Sequence, residues 1–110
     1  MIQLKKITQF EVAALMTLNH KYMKLNNEAA KQEENYFNCI LKLDQSKAIF
    51  LKLRSKSENA KKQKPVNLNF SITEAVILVD ICQNTNESQE FEKFTATKTI
   101  NQLHEQLLNL

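Results

Sequence analysis

The segment Pro65–Cys82 changes its hydrophobic period once, and this change constrains the fold more than any other feature of the sequence. Apolar and polar residues alternate over 66–72, which is typical of a strand with one buried face. Ser71 and Glu74 then fit a capping box, the exchange of hydrogen bonds that opens a helix. The residues that follow are apolar almost all round, as in a helix buried on most sides. The sequence therefore predicts a short strand that leads directly into a core helix.

A single strand leaves a row of backbone amides unsatisfied, so the predicted strand requires a neighbour. Ile2–Leu4 alternates briefly and is the simplest partner. A second copy of the chain, or another protein that adds a strand to the sheet edge, would also serve.

The rest of the chain favours helices, because Lys, Gln, Glu, Leu and Ala are abundant in it. Glycine is absent, so tight turns depend on Asn, Asp and Ser. The absence of glycine also excludes the Walker-type, dinucleotide-binding and G-x-S-x-G motifs of several enzyme classes. We expect one mainly α domain, 1–110, with a basic linker near 57–65. Its predicted elements are helices at roughly 8–31, 33–60, 72–84 and 88–109, and short strands at 2–4 and 66–70.

The first predicted helix carries apolar residues at steps of three or four, and the second has an apolar side that is interrupted at 44–47. Thr8 and Glu11 form a second capping-box pattern before the first helix. The predicted apolar side of the first helix consists of Ile7, Phe10, Ala14, Leu18, Tyr22, Leu25 and Ala29. That of the second consists of Phe37, Ile40, Leu41, Ala48 and Leu51. A hairpin of 39–43 with 48–53 is the alternative for the second segment, but its good helix formers and the lack of an Asn-Gly turn favour a helix.

The last predicted helix carries a short heptad seam formed by Ala96, Ile100, Leu103, Leu107 and Leu110. An apolar face that continues to the last residue is typical of a helix that docks on the rest of its domain or on a second copy. We therefore expect an interface at Ile100, Leu103, Leu107 and Leu110.

The segment Ile7–Asn19, ITQFEVAALMTLN, resembles the opening of helix-turn-helix DNA-binding modules. The resemblance implies a turn at Thr17–Leu18 and a recognition helix that is capped by Asn19. Polar and basic side chains of that helix would meet base edges and phosphates, namely His20, Lys21 and Lys24. Thr17 stands where such modules usually have glycine. The alternative is one uninterrupted amphipathic helix.

Charge is unevenly distributed along the chain, whose formal net charge is +3. Six cations and one acid lie in 52–64, whereas two lysines and six acids lie in 65–110. The basic segment indicates either phosphate contacts or a solvated linker, and its nucleic-acid candidates are Lys52, Arg54 and Lys56. No aromatic residue is interleaved to stack on bases, which favours the linker.

No group of residues forms a pattern that predicts catalysis. His20 and His104 are isolated and lack a second metal ligand at helical spacing. Cys39 and Cys82 are lone cysteines among apolar neighbours, as expected of reduced core residues in a cytoplasmic protein. Asp80 is the one carboxylate with strongly apolar neighbours, and a narrow solvent-facing edge of its helix explains it. We expect no catalytic site, metal, cofactor, small-molecule substrate or membrane span.

These patterns predict a small non-enzymatic protein-interaction or assembly module that self-associates, of a size and composition that would fit a phage or mobile-element accessory protein. This hypothesis depends on the C-terminal seam, on a strand that needs a partner, and on the lack of any catalytic pattern. The alternative is a helix-turn-helix-like DNA-binding regulator that uses residues 8–25, and it depends on a turn inside the first helical segment.

Overall fold

The computed structural model describes residues 1–31, 36–59, 64–85 and 87–110. These residues form a two-stranded sheet and four helices, so the mainly α prediction is confirmed. The elements are β1 (Ile2–Ile7), α1 (Gln9–Ala29), α2 (Tyr36–Asn59), β2 (Val66–Phe70), α3 (Ile72–Gln83) and α4 (Glu90–Leu108). The first three residues of the predicted linker belong to α2, while 33–35 and 60–63 lie outside the described residues.

β1 and β2 pair antiparallel, which confirms the N-terminal segment as the partner of the predicted strand. Ile2 lies opposite Phe70, Leu4 opposite Leu68, and Ile7 opposite Val66. The register shifts between Leu4 and Ile7, where Lys6 adopts a left-handed conformation with φ of 56°. The Lys6 amide donates to Asn67 Oδ1 at 3.0 Å. This bulge lets the ladder resume at Ile7, so β1 is longer than the predicted strand at 2–4.

A capping box follows each strand, as predicted, and a lysine from a distant helix pairs with the glutamate of each box. Lys98 of α4 lies 2.9 Å from Glu11, and Lys52 of α2 lies 2.6 Å from Glu74. Burial alone would raise the pKa of each carboxyl. Hydrogen bonds from the lysine and from the capping-box residue outweigh burial, so the net result is a lowered pKa for both glutamates.

The two halves of the chain have the same order of elements, a strand followed by two helices. The strand register is symmetric about the pair of Leu4 and Leu68. One apolar pair lies on either side of it, Ile2 with Phe70 and Ile7 with Val66. Each capping-box glutamate pairs with a lysine from the second helix of the other half. Helix α4 packs on β1 and α2 packs on β2. An approximate two-fold axis therefore passes through the sheet, and each half covers the strand of the other.

The core lies between the sheet and the helices. Its largest fully buried side chains are Leu4, Ile7, Leu15, Leu18, Ile49, Leu53, Leu68, Phe70, Leu78, Ile81, Leu103 and Val12. The predicted apolar side of α2 is wrong, because Phe37, Ile40, Leu41 and Leu51 are exposed. On α1, Phe10 and Leu25 are likewise exposed, although Leu18 and Tyr22 are buried as predicted. Apolar residues occur on several faces of α2, and tertiary packing selects the face of Ile49 and Leu53.

Both alternatives to continuous helices are wrong. Helix α1 runs without a break through Thr17 and Leu18, so the predicted turn does not form. Thr17 Oγ1 donates to the Ala13 carbonyl at 3.1 Å, a bond made within an unbroken helix. Residues 39–53 belong to α2, which excludes the hairpin.

The outer edge of β1 is covered by two glutamine side chains of α4. Gln106 Oε1 accepts from the Gln3 amide at 2.8 Å, and Gln106 Nε2 donates to the Gln3 carbonyl at 2.6 Å. Gln102 contacts the Lys5 amide and carbonyl in the same way, at 3.0 and 3.3 Å. The two glutamines are about one helical turn apart and occupy one face of α4. Their side chains therefore satisfy this strand edge as a neighbouring strand would.

Candidate interaction surfaces

Three phenylalanine side chains lie exposed where the N-terminal turns of α1 and α4 meet. Phe10 is 74% exposed and Phe94 is 62% exposed. Phe91 stacks on Phe94, with ring centroids 6.4 Å apart and ring planes inclined by 30°. An open groove of about 420 Å³ is lined by these rings and by Thr8, Glu11 and Lys98. We call Phe10, Phe91 and Phe94 the phenylalanine surface; clustered exposed apolar side chains of this kind mark interaction sites.

The charged groups of this groove are paired with each other. Glu11 is buried, and both of its carboxylate oxygens accept from Lys98 Nζ, at 3.1 and 2.9 Å. Glu11 also accepts from the Thr8 amide at 3.0 Å. Because the pKa of Glu11 is lowered, its carboxylate is ionised at neutral pH and has no proton to donate. The groove is thus suited to burying apolar groups rather than to acid catalysis.

A second apolar surface lies at the start of α2. It consists of Tyr36, Phe37, Ile40 and Leu41, which we call the α2 tip. All four are exposed, Phe37 to 80%. The rings of Tyr36 and Phe37 meet edge to face, with 5.6 Å between their centroids. Residues at these spacings are neighbours on a helix, so the four side chains form one continuous patch.

The interface predicted on α4 is largely part of the core of the chain itself. Leu103 is fully buried, and Ile100 and Leu107 are partly buried against the core. Leu110 is exposed. The seam docks on the core of its own chain, which is one of the two outcomes that the sequence leaves open. Leu103 is therefore unavailable to a partner, and the seam no longer argues for self-association.

One of the predicted nucleic-acid contacts is buried and two are paired with glutamates. Asn19 is fully buried, and its Nδ2 donates to the Ser46 carbonyl at 3.0 Å, so it caps no recognition helix. Lys21 pairs with a glutamate of α4, whereas Lys52 pairs with the capping-box glutamate of α3. The remaining candidates are exposed on α1 and α2: His20, Lys24, Arg54 and Lys56. Because α1 is unbroken, it lacks the turn on which the helix-turn-helix resemblance depends.

Asp80 of α3 links three helices through its contacts with α1 and α2. It accepts a short hydrogen bond from the Tyr22 hydroxyl and lies 3.6 Å from Lys42 Nζ. Burial and this hydrogen bond to a carboxylate raise the pKa of Tyr22. Burial also raises the pKa of the Cys82 thiol to about 12, so it is protonated at neutral pH and is a poor nucleophile. Both histidines are exposed, and no group of three His, Cys, Asp or Glu in the described ranges is placed to hold a metal ion.

The phenylalanine surface is not predicted by the sequence. Phe10 belongs to the predicted apolar side of α1, and periodicity gives no sign that it turns away from the core. Phe91 and Phe94 precede Ala96 by five and two positions, so they lie outside the three-and-four spacing of the seam. This departure from the spacing of the seam is the sequence signal that Phe91 and Phe94 are exposed. The meeting of α1 with α4 depends on tertiary packing and has no local signal.

Within the described ranges, no helix has both the length and the apolar character that crossing a membrane requires. Comparisons with protein-family models, with curated proteins and with solved structures found no match to this chain.

Proposed function

We propose that this protein is a non-enzymatic interaction module that associates with further copies of itself through the phenylalanine surface. The observation that supports the proposal is the clustering of three exposed aromatic rings over one groove. Burying apolar area is favourable by about 25 cal/mol per Å². Aromatic residues are also enriched at interfaces relative to the rest of protein surfaces. A partner that covers these rings would gain this free energy.

Charge favours a head-to-tail contact, in which the phenylalanine surface of one copy meets the α2 tip of the next. Glu87 and Glu90 lie just before and at the start of α4, and together they outnumber Lys93, the exposed cation between Phe91 and Phe94. Lys47 is an exposed cation that follows the α2 tip, after Asp44, whereas Lys42 is paired with Asp80. Opposite charges beside two apolar surfaces orient an encounter and discriminate against like surfaces. A contact between two different surfaces leaves one of each unoccupied, so further copies can add.

Sedimentation velocity across the micromolar range tests self-association. We expect the sedimentation coefficient of the wild type to rise with concentration, and to rise less at high salt. Phe10→Ser combined with Phe94→Ser should yield a monomer. Val76→Ser is the matched control, because it removes a half-exposed apolar side chain from α3 and should leave association unchanged. A wild type that stays monomeric throughout would refute the proposal.

A mixing experiment tests the head-to-tail arrangement. The double phenylalanine variant retains an intact α2 tip, whereas Phe37→Ser retains an intact phenylalanine surface. Neither variant should associate alone, because each lacks one of the two surfaces. Their equimolar mixture should form a closed pair with one intact contact. Absence of that pair, or association of either variant alone, would contradict the arrangement.

A further inference from the structure

The outer edge of β2 faces away from β1. The Gln3 backbone contacts Gln106 and so points away from β2. Asn69 lies opposite Gln3 in the register. In an antiparallel pair, two residues at such a position both direct their amides and carbonyls away from each other. The backbone groups of Asn69 therefore point outward, as do those of Asn67 two residues earlier.

These outward groups are less covered than their counterparts on β1. The Asn69 carbonyl accepts from Lys52 Nζ at 3.0 Å. No described residue accepts a hydrogen bond from the amide of Asn67 or of Asn69. Both residues are exposed. Two exposed amides at a spacing of two residues are the pattern that an added strand recognises.

A groove of about 360 Å³ lies between this edge and α2. It is lined by Leu51, Lys52, Ser55, Lys56, Leu68 and Asn69, none of which is acidic. Leu51 is an exposed apolar side chain, and Lys56 is an exposed cation. Lys64, just before β2, is a second exposed cation near this edge. The groove therefore offers backbone donors, one apolar contact and positive charge.

The positive charge at this edge favours an acidic extended segment over a second copy of the chain. A second copy that paired through the same edge would bring its own Lys56 and Lys64 against the first pair, and like charges across an interface are unfavourable. An extended segment with carboxylates meets the same cations favourably. Apolar residues at alternate positions would face the core side of the sheet, where Leu51 lies.

We infer that the outer edge of β2 is a binding site for an extended segment of another protein, in which apolar and acidic side chains alternate. The segment adds as a third strand, and its carbonyls accept from the amides of Asn67 and Asn69. Its apolar side chains face Leu51, and its carboxylates lie on the opposite face of the strand, where the positive charges of Lys56 and Lys64 attract them without direct pairing. This site is separate from the phenylalanine surface and does not depend on the proposed self-association.

Fluorescence anisotropy with a labelled peptide of alternating valine and aspartate tests the inference. A peptide of the same length with lysine in place of aspartate is the matched probe. We expect the acidic peptide to bind at least about tenfold more tightly, and its affinity to fall as salt rises. Lys56→Glu should remove most of this preference. Equal affinities for the two peptides, or binding of neither, would overturn the inference.

Two substitutions of Asn69 distinguish the contribution of its backbone amide to peptide binding from that of its side chain. Asn69→Pro removes the outward amide and no bond of the β1–β2 ladder, and proline is tolerated on strand edges for this reason. Asn69→Ala keeps the amide and loses the same side-chain contact, a 2.9 Å bond from Gln3 Nε2. We expect Asn69→Ala to bind the acidic peptide like the wild type and Asn69→Pro to bind it about tenfold more weakly. Equal binding by the two variants would contradict strand addition.

Amide NMR spectra of the unaltered chain give a test that does not depend on folding of the proline variant. On addition of the acidic peptide, the resonances of Asn67 and Asn69 should shift and their amide exchange should slow. The amides of Gln3 and Lys5 should not respond, because glutamine side chains already occupy them. Shifts confined to the phenylalanine surface would place the peptide there and overturn the inference.

Discussion

Replacing the glutamines that close the β1 edge should destabilise the fold according to how buried each contact is. Gln106 makes two hydrogen bonds to the Gln3 backbone, at 2.6 and 2.8 Å, in partly buried surroundings. Gln102 makes two to the Lys5 backbone, at 3.0 and 3.3 Å, in exposed surroundings. A net hydrogen bond contributes about 0.5–1.5 kcal/mol, and we assign the lower value where water replaces the partner freely.

The higher helix propensity of alanine offsets about 0.3 kcal/mol of the loss in each variant. We therefore expect Gln106→Ala to lower the free energy of unfolding by about 2 kcal/mol, and Gln102→Ala to lower it by about 0.7 kcal/mol. Urea denaturation followed by circular dichroism measures both, provided that the m-value is unchanged. Gln106→Met is the matched control, because it keeps the length of the side chain and removes its polar atoms. We expect it to lose most of what Gln106→Ala loses.

Two results would refute this reasoning. A Gln106→Met variant that unfolds at the wild-type urea concentration would show that these hydrogen bonds contribute nothing beyond packing. A Gln102→Ala variant that loses as much as Gln106→Ala would show that burial does not set the magnitude. Amide hydrogen exchange gives an independent measurement, because the Gln3 amide should lose protection in Gln106→Ala and keep it in Gln102→Ala.

Three further predictions concern the buried polar contacts and the core. The pKa of Glu74 is lowered in the folded chain, so the ionised carboxylate stabilises the fold fully above the ordinary carboxyl pKa of 4.5. This stabilisation is lost as the pH falls through the folded pKa. The free energy of unfolding should therefore decrease less at acid pH in Glu74→Gln than in the wild type. Tyr22→Phe should lower the free energy of unfolding by about 1.5 kcal/mol, because it removes a hydrogen bond to a carboxylate. Since the pKa of Tyr22 is raised, the wild type should also lose stability as pH rises above the ordinary tyrosine value of 10.0, and Tyr22→Phe should lose less. Leu103→Ala should lower the free energy of unfolding by about 3 kcal/mol, whereas Leu110→Ala should change it by less than about 0.5 kcal/mol.

Urea midpoints measured across the pH range check the first two predictions, and midpoints at neutral pH check the third. An acid limb that is unchanged in Glu74→Gln would show that the lysine pair and the capping box do not stabilise the ionised carboxylate. Identical alkaline losses in the wild type and Tyr22→Phe would exclude Tyr22 as the titrating group. Equal losses at Leu103 and Leu110 would contradict the docking of the seam on the core.

The elements of this fold are predictable from the sequence because their signals are local. The period change at Ser71 and the two capping boxes specify where α1 and α3 begin, and alternation specifies β2. The end of β1 is not predicted, because the bulge depends on Asn67 reaching the Lys6 amide across the sheet. The buried side of α2 is not predicted either, because its apolar residues occur on several faces.

The candidate interaction surfaces are harder to predict than the elements. Phe10 and Phe94 line one groove because α1 and α4 pack together, and no local sequence pattern predicts that packing. The α2 tip carries Phe37 at a spacing that a core helix would also have, so periodicity assigns it to the core. Whether a residue with a core-like spacing is buried or exposed depends on how the other elements pack against its helix.

The approximate two-fold arrangement has a consequence for the time at which the chain can fold. The Gln3 amide reaches its partner Gln106 across 103 positions of sequence, and in the described part of the chain β1 pairs with no strand that precedes β2. Pairings between distant residues slow folding, and synthesis releases the N-terminal part first. A ribosome that has made only β1, α1 and α2 therefore holds a strand with both edges bare. The native hydrogen bonds of β1 cannot all form until α4 has emerged from the ribosome.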